Sequence, residues 1–313
     1  MASAPRHVLV TGADGFVGSS LVRALLQAGH RVTGTRIESR PRNECLSNAE
    51  FEAVTWVRMD LVRPDSVRDA VATGPDRIVH LAAVSGSADA GSDPGYAWAV
   101  NAGGTARLLH AALDLQPRPR VLVVSSSEVY GEGSARPSTE TDVPAPLSPY
   151  AASKLGAEVA ALQARRQHGL EVIIARPWPH TGPCQQRDRL VPHWLARLSE
   201  GVDRIPFADP EAVRDFLDVR DVASAYLALM DGGEPGEIYN VATGEGRTFA
   251  ALFALLARAT GREAALARQG ARPRGWDARY SVGDASKLRS ATGWRPRYSI
   301  EETFHDMVNA ETV

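Results

Sequence analysis

Val8-Leu9-Val10-Thr11-Gly12-Ala13-Asp14-Gly15-Phe16-Val17-Gly18-Ser19-Ser20-Leu21-Val22-Arg23 decides the fold: an apolar strand runs into three glycines spaced G-x-x-G-x-x-G, and these run into a helix. Glycine tolerates a left-handed turn and lets backbone come close to an anion, while the N–H groups that open the next helix face that anion with the positive end of the helix dipole. A strand, glycine loop and helix in this order form a cradle for a nucleotide pyrophosphate. Gly12, Asp14, Gly15, Phe16, Val17 and Gly18 are the candidate contacts.

Outward from this loop, short Val/Ile/Leu-rich runs alternate with Ala/Leu-rich amphipathic stretches. Runs 7–11, 31–35, 55–58, 77–81, 120–125 and 171–176 are expected as strands, with helices between them. Strands apolar on both faces and separated by helices predict an α/β protein with a Rossmann-type doubly wound parallel sheet, its ligands at the carboxyl ends of the strands. Pro177-Trp178-Pro179-His180-Thr181-Gly182-Pro183 should not continue the sheet and should carry the chain into a smaller α/β lobe. Helices near 191–200, 222–230 and 249–259, with strands near 216–219 and 238–241, suggest lobes that exchange segments. The expected division is 1–176 plus about 215–240 for the dinucleotide half, and 177–214 with 241–313 for the substrate lobe.

The 313 residues are 44% hydrophobic and 23% charged, enough to bury a large core. A formal charge of -2 gives no global field for nucleic acid or an anionic membrane, so any polyanion must be held by local arginines. MASAPRH lacks the apolar centre of a signal peptide and no long apolar run follows, so the expected location is the cytoplasm. Cys45 and Cys184 are the two cysteines, expected as reduced thiols; neither has metal-ligand spacing, and no metal is expected.

In a dinucleotide fold that prefers NAD, a carboxylate usually follows the second strand to bind the adenosine ribose. Here Gly34-Thr35-Arg36 ends that strand, and a guanidinium suits a 2′-phosphate, so NADP is favoured. Glu38, two residues on, keeps NAD open. Asp60, with Leu61, is placed to accept from an adenine amino group. The small residues of Leu81-Ala82-Ala83 would let a cofactor lie against backbone, and the Asn101 amide could tie the sheet's loops together.

Ser148 and Pro149 mark the start of a helix as N-cap and first helical residue. Tyr150 and Lys154 then stand one turn apart on one face, where an ammonium is expected to lower the phenol's pKa and fit it for proton transfer. Alone, Y-x-x-x-K suits a solvated helix face. The preceding strand end, Val123-Val124-Ser125-Ser126-Ser127-Glu128-Val129-Tyr130-Gly131, adds hydroxyls and a carboxylate at the same sheet edge.

With these residues in hand, the chain resembles the extended short-chain dehydrogenase/reductases that act on nucleotide sugars, through TGADGFVG, HLAA, SSSEVYG, YAASK and RDFLDVRDV. The resemblance covers nearly the whole length. It implies that Ser126 hydrogen-bonds the sugar oxygen, that Tyr150 is the acid/base, and that Lys154 holds the nicotinamide ribose. RPWPHTGPCQ, GEIYNVATGE and GDASKLRSATGWRP narrow the likeness to GDP-6-deoxy-4-keto-mannose reductases, which reduce GDP-4-keto-6-deoxy-D-mannose to GDP-D-rhamnose. Where these proteins usually read Phe-Asn-His-Thr-Gly-Pro-Gly-Gln, this chain has Trp178, Pro179, His180, Thr181, Gly182, Pro183, Cys184 and Gln185, so an amide often aimed at the sugar or its diphosphate is lost.

Arg214 matches an arginine that reaches the substrate diphosphate in that family. Ser127, Glu128, His180, Arg189, Val191, Arg274 and Asp277 complete the candidate substrate contacts. The same resemblance leaves other net reactions open: a 4,6-dehydratase using Glu128, an NAD-dependent 4-epimerase, or a non-enzymatic dinucleotide sensor. It also implies a homodimer through helices flanking the sheet, including the one that carries Tyr150.

Overall fold

Strand by strand, the central sheet sends alternate apolar side chains into two separate cores. Val8 and Val10 enter one and Leu9 the other; Val79 and Ile78 divide likewise, as do Leu122 and Val121, and Ile173 and Ile174. That two-residue period on strands covered on both faces is what the near-continuous apolar runs encode.

The computed structural model describes residues 4–37, 45–269 and 278–311. Seven parallel strands, β1 (His7–Thr11), β2 (Arg31–Arg36), β3 (Thr55–Arg58), β4 (Arg77–His80), β5 (Arg120–Val124), β6 (Val172–Pro177) and β7 (Ile238–Val241), lie in the order β7-β6-β5-β4-β1-β2-β3. The larger helices are α1 (Phe16–Gln27), α2 (Pro64–Val71), α3 (Gly104–Leu113), α4 (Pro149–His168), α5 (Leu190–Ser199), α6 (Val219–Gly232), α7 (Phe249–Ala259) and α8 (Ile300–Glu311). Leu21 and Leu25 of α1 and Val222 and Tyr226 of α6 fill the core on one face; Val67 of α2, Leu108 of α3 and Ala161 of α4 fill the other. This is the Rossmann-type doubly wound sheet, and its strand order reverses between β1 and β4, where such folds open their ligand crevice.

A third apolar cluster joins Trp194 and Leu198 of α5, Phe253 and Leu256 of α7, and Phe304 and Met307 of α8. Among the described residues no helix is long and apolar enough to cross a membrane.

Two expectations are corrected. Pro177 stays in the sheet: it ends β6 opposite Val241, and the ladder resumes with the Trp178 N–H donating to the Val241 carbonyl at 2.9 Å. His180–Thr181 then pairs with Leu217–Asp218 as a separate two-stranded sheet. The expected strand at 216–219 is present but shortened to Leu217–Asp218, because Asp218 caps α6, accepting from the Arg220 N–H at 2.7 Å. With that cap the helix starts at Val219, three residues before the predicted position.

Candidate active site

The glycine loop has the geometry its sequence demands. Gly12 has φ +66°, and a Cβ there would lie 3.1 Å from the Ala82 backbone; a Cβ on Gly18 would lie 2.1 Å from the Gly12 carbonyl oxygen. Any side chain would therefore break the contact of α1 with the β1 loop. The N-terminus of α1 has no side-chain cap and no acidic residue in its first turn, which leaves its N–H groups to an anion. A dinucleotide fits these residues. Arg36 closes β2, and its Nε lies 3.8 Å from the Asp14 carboxylate in the glycine loop, so both candidates meet. Leu81, Ala82 and Ala83 follow β4, where the Leu81 and Ala82 N–H groups donate to Thr11 Oγ1 at 3.1 and 3.0 Å. Asp60 accepts the Val62 N–H at 3.0 Å, making a turn of its own, and the Leu61 carbonyl accepts from Arg107 at 3.1 Å.

A buried chain of hydrogen bonds ties this loop to α4. Thr11 Oγ1 lies 2.8 Å from His80 Nδ1, His80 Nε2 lies 3.0 Å from Thr105 Oγ1, and Thr105 donates to the Asn101 carbonyl at 2.6 Å. With the two N–H groups occupying the Thr11 oxygen, its proton goes to Nδ1 and the imidazole carries its own proton on Nε2. Burial pushes His80 down to about 3, with Lys154 contributing, so the ring is neutral. The Asn101 amide bonds both backbone groups of Val84 and donates to Ser153 Oγ at 2.9 Å; Ser153 in turn donates to the Tyr150 carbonyl at 2.7 Å. Asn101 thus ties loop to helix as its sequence position suggests, but His80, Thr105 and Ser153 gave no comparable signal.

Helix α4 starts where predicted, with Ser148 Oγ accepting from the Ala151 N–H at 3.1 Å and Pro149 in the first turn. Tyr150, Lys154 and Glu158 follow at four-residue spacing. Burial pushes Lys154 down to about 8 against the pull of Glu158. Glu158 is held by two bonds from Arg176 at 2.9 and 2.7 Å and one from Ser125. The expected lowering of the Tyr150 phenol by Lys154 is corrected: burial pushes it well above its ordinary value, the Glu128 charge adds to this, and the Ser126 hydrogen bond and Arg189 only partly oppose it.

Beyond β5, Ser126 is buried and its hydroxyl accepts from the Glu128 N–H at 3.2 Å. Ser127 and Glu128 line a cavity of about 420 Å³, together with Ser148, Arg189, Arg214 and Ser281. The Ser148 hydroxyl donates to Glu128 at 3.4 Å, and Arg214 lies over the Phe249 ring at 5.1 Å. Arg189 reaches back to the Ser85 carbonyl at 3.4 Å and sits 3.8 Å from Asp89. His180 is outside the lining: its ring stacks on Phe16 at 6.2 Å, its Nδ1 lies 2.9 Å from the Trp178 carbonyl oxygen, and burial pushes it down. Val191 is also elsewhere, buried in the α5 cluster because it faces inward on that helix. Arg274 and Asp277 lie outside the described residues, as does Glu38. Glu158 was legible in hindsight from its helical spacing to Lys154; the Arg107 contact was not.

Residues 8–242 match the sequence profile of the NAD dependent epimerase/dehydratase family. The chain is 34% identical to a GDP-6-deoxy-D-mannose reductase of Pseudomonas aeruginosa over 97% of its own length and 96% of the relative's. A dTDP-glucose 4,6-dehydratase of Streptomyces antibioticus is also 34% identical, over 95% of this chain and 89% of that one. Among solved structures, RMD from Pseudomonas aeruginosa complexed with NADPH superposes with a TM-score of 0.82 at 33% identity, covering 97% of this chain and 98% of that one. Glycine cradle, Tyr-Lys helix and whole-length similarity agree: this chain is an enzyme of the NAD dependent epimerase/dehydratase family, within the extended short-chain dehydrogenase/reductases.

Proposed function

We propose that this enzyme uses NADPH to reduce the 4-keto group of GDP-4-keto-6-deoxy-D-mannose, giving GDP-D-rhamnose. What supports the reading is the 34% identity to a GDP-6-deoxy-D-mannose reductase over 97% of this chain, together with the Tyr150 phenol buried beside Glu128 at the cavity's edge. Reduction of a carbonyl needs an acid beside its oxygen, and the protonated Tyr150 phenol supplies one; a dehydratase or epimerase would use the same phenol first as base and then as acid. Elimination across C5 and C6 further needs an acid and a base together. Among the described residues the β5 end offers one carboxylate, Glu128, and the cavity's other carboxylates, Asp89 and Asp188, are exposed beside Arg189.

In this reading Gly12, Asp14, Gly15, Phe16, Val17 and Gly18 hold the pyrophosphate, and Arg36 takes the 2′-phosphate. When bound, the nicotinamide supplies the hydride. Ser126 and Tyr150 hydrogen-bond the carbonyl oxygen, and Tyr150 gives it the phenolic proton. Lys154 holds the ribose and, while charged, favours the phenolate left behind. Arg214 and Arg189 bind the diphosphate. The division at residues 176, 214 and 240 into dinucleotide and sugar lobes, and a homodimer, belong to the same proposal.

The test is to mix purified protein, NADPH and GDP-4-keto-6-deoxymannose and follow the nicotinamide absorbance. Oxidation matched one for one by GDP-rhamnose is the expected result. Dehydration of GDP-mannose without net NADPH use would replace this reading with the dehydratase one, which the position of Glu128 on the cavity wall favours second. Interconversion of UDP-sugars by protein carrying bound NAD would replace it with the epimerase.

A further inference from the structure

Cys45 and Cys184 lie 139 positions apart in the chain, yet the fold brings them together: Cys45 Sγ is 3.4 Å from the Cys184 carbonyl oxygen and within hydrogen-bond reach of the Cys184 sulfur. Neither thiol belongs to the site described above. Cys184 is exposed and Cys45 is buried behind it. Each rests on a fixed turn. The Cys45 carbonyl accepts from Arg23, whose Nε donates to Glu50 at 2.7 Å, and Glu50 closes a capping box with Ser47. On the other side Thr181 donates to Gln185 at 2.6 Å, and Gln185 Nε2 donates to the His180 carbonyl at 3.1 Å.

Cys184 has φ +69°, a conformation that costs little only for glycine. This chain keeps a thiol there against the backbone's preference. The Cys45 hydrogen bond and the Arg23 charge draw the Cys184 thiol down to about 7, against burial, so much of it is thiolate at neutral pH.

We propose that Cys184 and Cys45 form a peroxide-reactive dithiol, Cys184 as the attacking sulfur and Cys45 as the resolving one. The Cys184 thiolate attacks one peroxide oxygen; the S–O bond forms, the O–O bond breaks, and the departing oxygen leaves as water once protonated. Cys45 sulfur then attacks Cys184 sulfur, the S–S bond forms, the S–O bond breaks, and hydroxide leaves with the Cys45 proton as a second water. Two sulfurs give up two electrons and the hydroperoxide takes them. The product ties the chain that follows β2 and Arg36 to the turn that carries His180 and leads to Arg189.

Full-length protein is treated with equimolar hydrogen peroxide, then analysed by thiol titration, intact mass and peptide mapping. Both thiols should disappear, the mass should fall by two hydrogens, the Cys45 and Cys184 peptides should be joined, and dithiothreitol should restore both thiols. Cys45→Ser should accumulate a sulfenic acid on Cys184 that dimedone traps, and Cys184→Ser should leave Cys45 unreacted. Persistence of both thiols in the wild type, or a bridge between two chains in place of one within a chain, overturns the proposal. The wild-type measurement decides this even if a variant fails to fold.

Discussion

At the residue scale, the reacting centre depends on two buried groups whose charges are set by opposing effects. Burial favours the neutral forms of both Tyr150 and Lys154, while Glu158 alone pulls toward the lysine's charged form. Tyr150→Phe removes the proton donor but leaves the glycine loop and Lys154 in place. Turnover should fall by about 100-fold or more, while NADPH binding, followed by fluorescence titration, stays within a few-fold of wild type; full retention of turnover would remove Tyr150 from the chemistry. A pH dependence follows from Lys154. Its ammonium is present below about 8 and lost above it, so kcat/KM for the ketosugar should decline on the alkaline side of that value. Glu158→Gln removes the one charge that supports the ammonium, and it should move this decline to lower pH. An unshifted profile in a folded Glu158→Gln protein would separate Lys154 from catalysis.

Between residues and whole molecule stand the elements, here β1, β4 and α3, joined through His80. The imidazole titrates near 6.5 when unfolded and about 3 when folded, so above 6.5 neither state binds the proton. As the pH falls below 6.5 the unfolded chain takes it up first, and His80 alone removes up to about 1.4 kcal/mol of stability per pH unit. Urea unfolding at pH 7 and pH 5 should therefore show a steeper loss for the wild type than for His80→Gln, and equal losses would mean that the ring is not held neutral. At the end of β2, Arg36→Asp would set a second carboxylate beside Asp14 and should turn cofactor preference from NADP toward NAD, read as the ratio of the two dissociation constants. The strands, the glycine loop and the start of α4 were legible in the sequence because their signals are local: an apolar run, a required glycine, a capping serine before proline. The His80 relay and the Glu158–Arg176 pair were not, since both join elements distant in sequence and arise only when the strands align. The segment after β6 misled for a related reason. Proline signals the end of a sheet, yet at the last position of a strand its missing N–H need not interrupt a ladder that the next residue resumes.

For the whole molecule, the proposed dimer makes a claim that the chain's own surface can test. Tyr96 and Trp98 on the short helix Pro94–Trp98 are 49% and 45% exposed, and Val159 on α4 is 62% exposed. Trp98 packs over Gly156, where a Cβ would lie 2.7 Å from its ring, and Val159 stands three residues on along α4, so Trp98 and Val159 lie on one face. Large apolar groups on one face mark an association surface, and covering each contributes on the order of 1.5–3 kcal/mol. In a two-fold dimer the same residue is buried twice, so one substitution counts on both sides. Val159→Glu would bring two carboxylates into that interface, and with no partner for either the pair should come apart. Light scattering should give twice the chain mass for the wild type and the chain mass for Val159→Glu, with unchanged far-ultraviolet dichroism in the variant. A wild type that scatters as a single chain would show that this apolar face serves something other than a second copy.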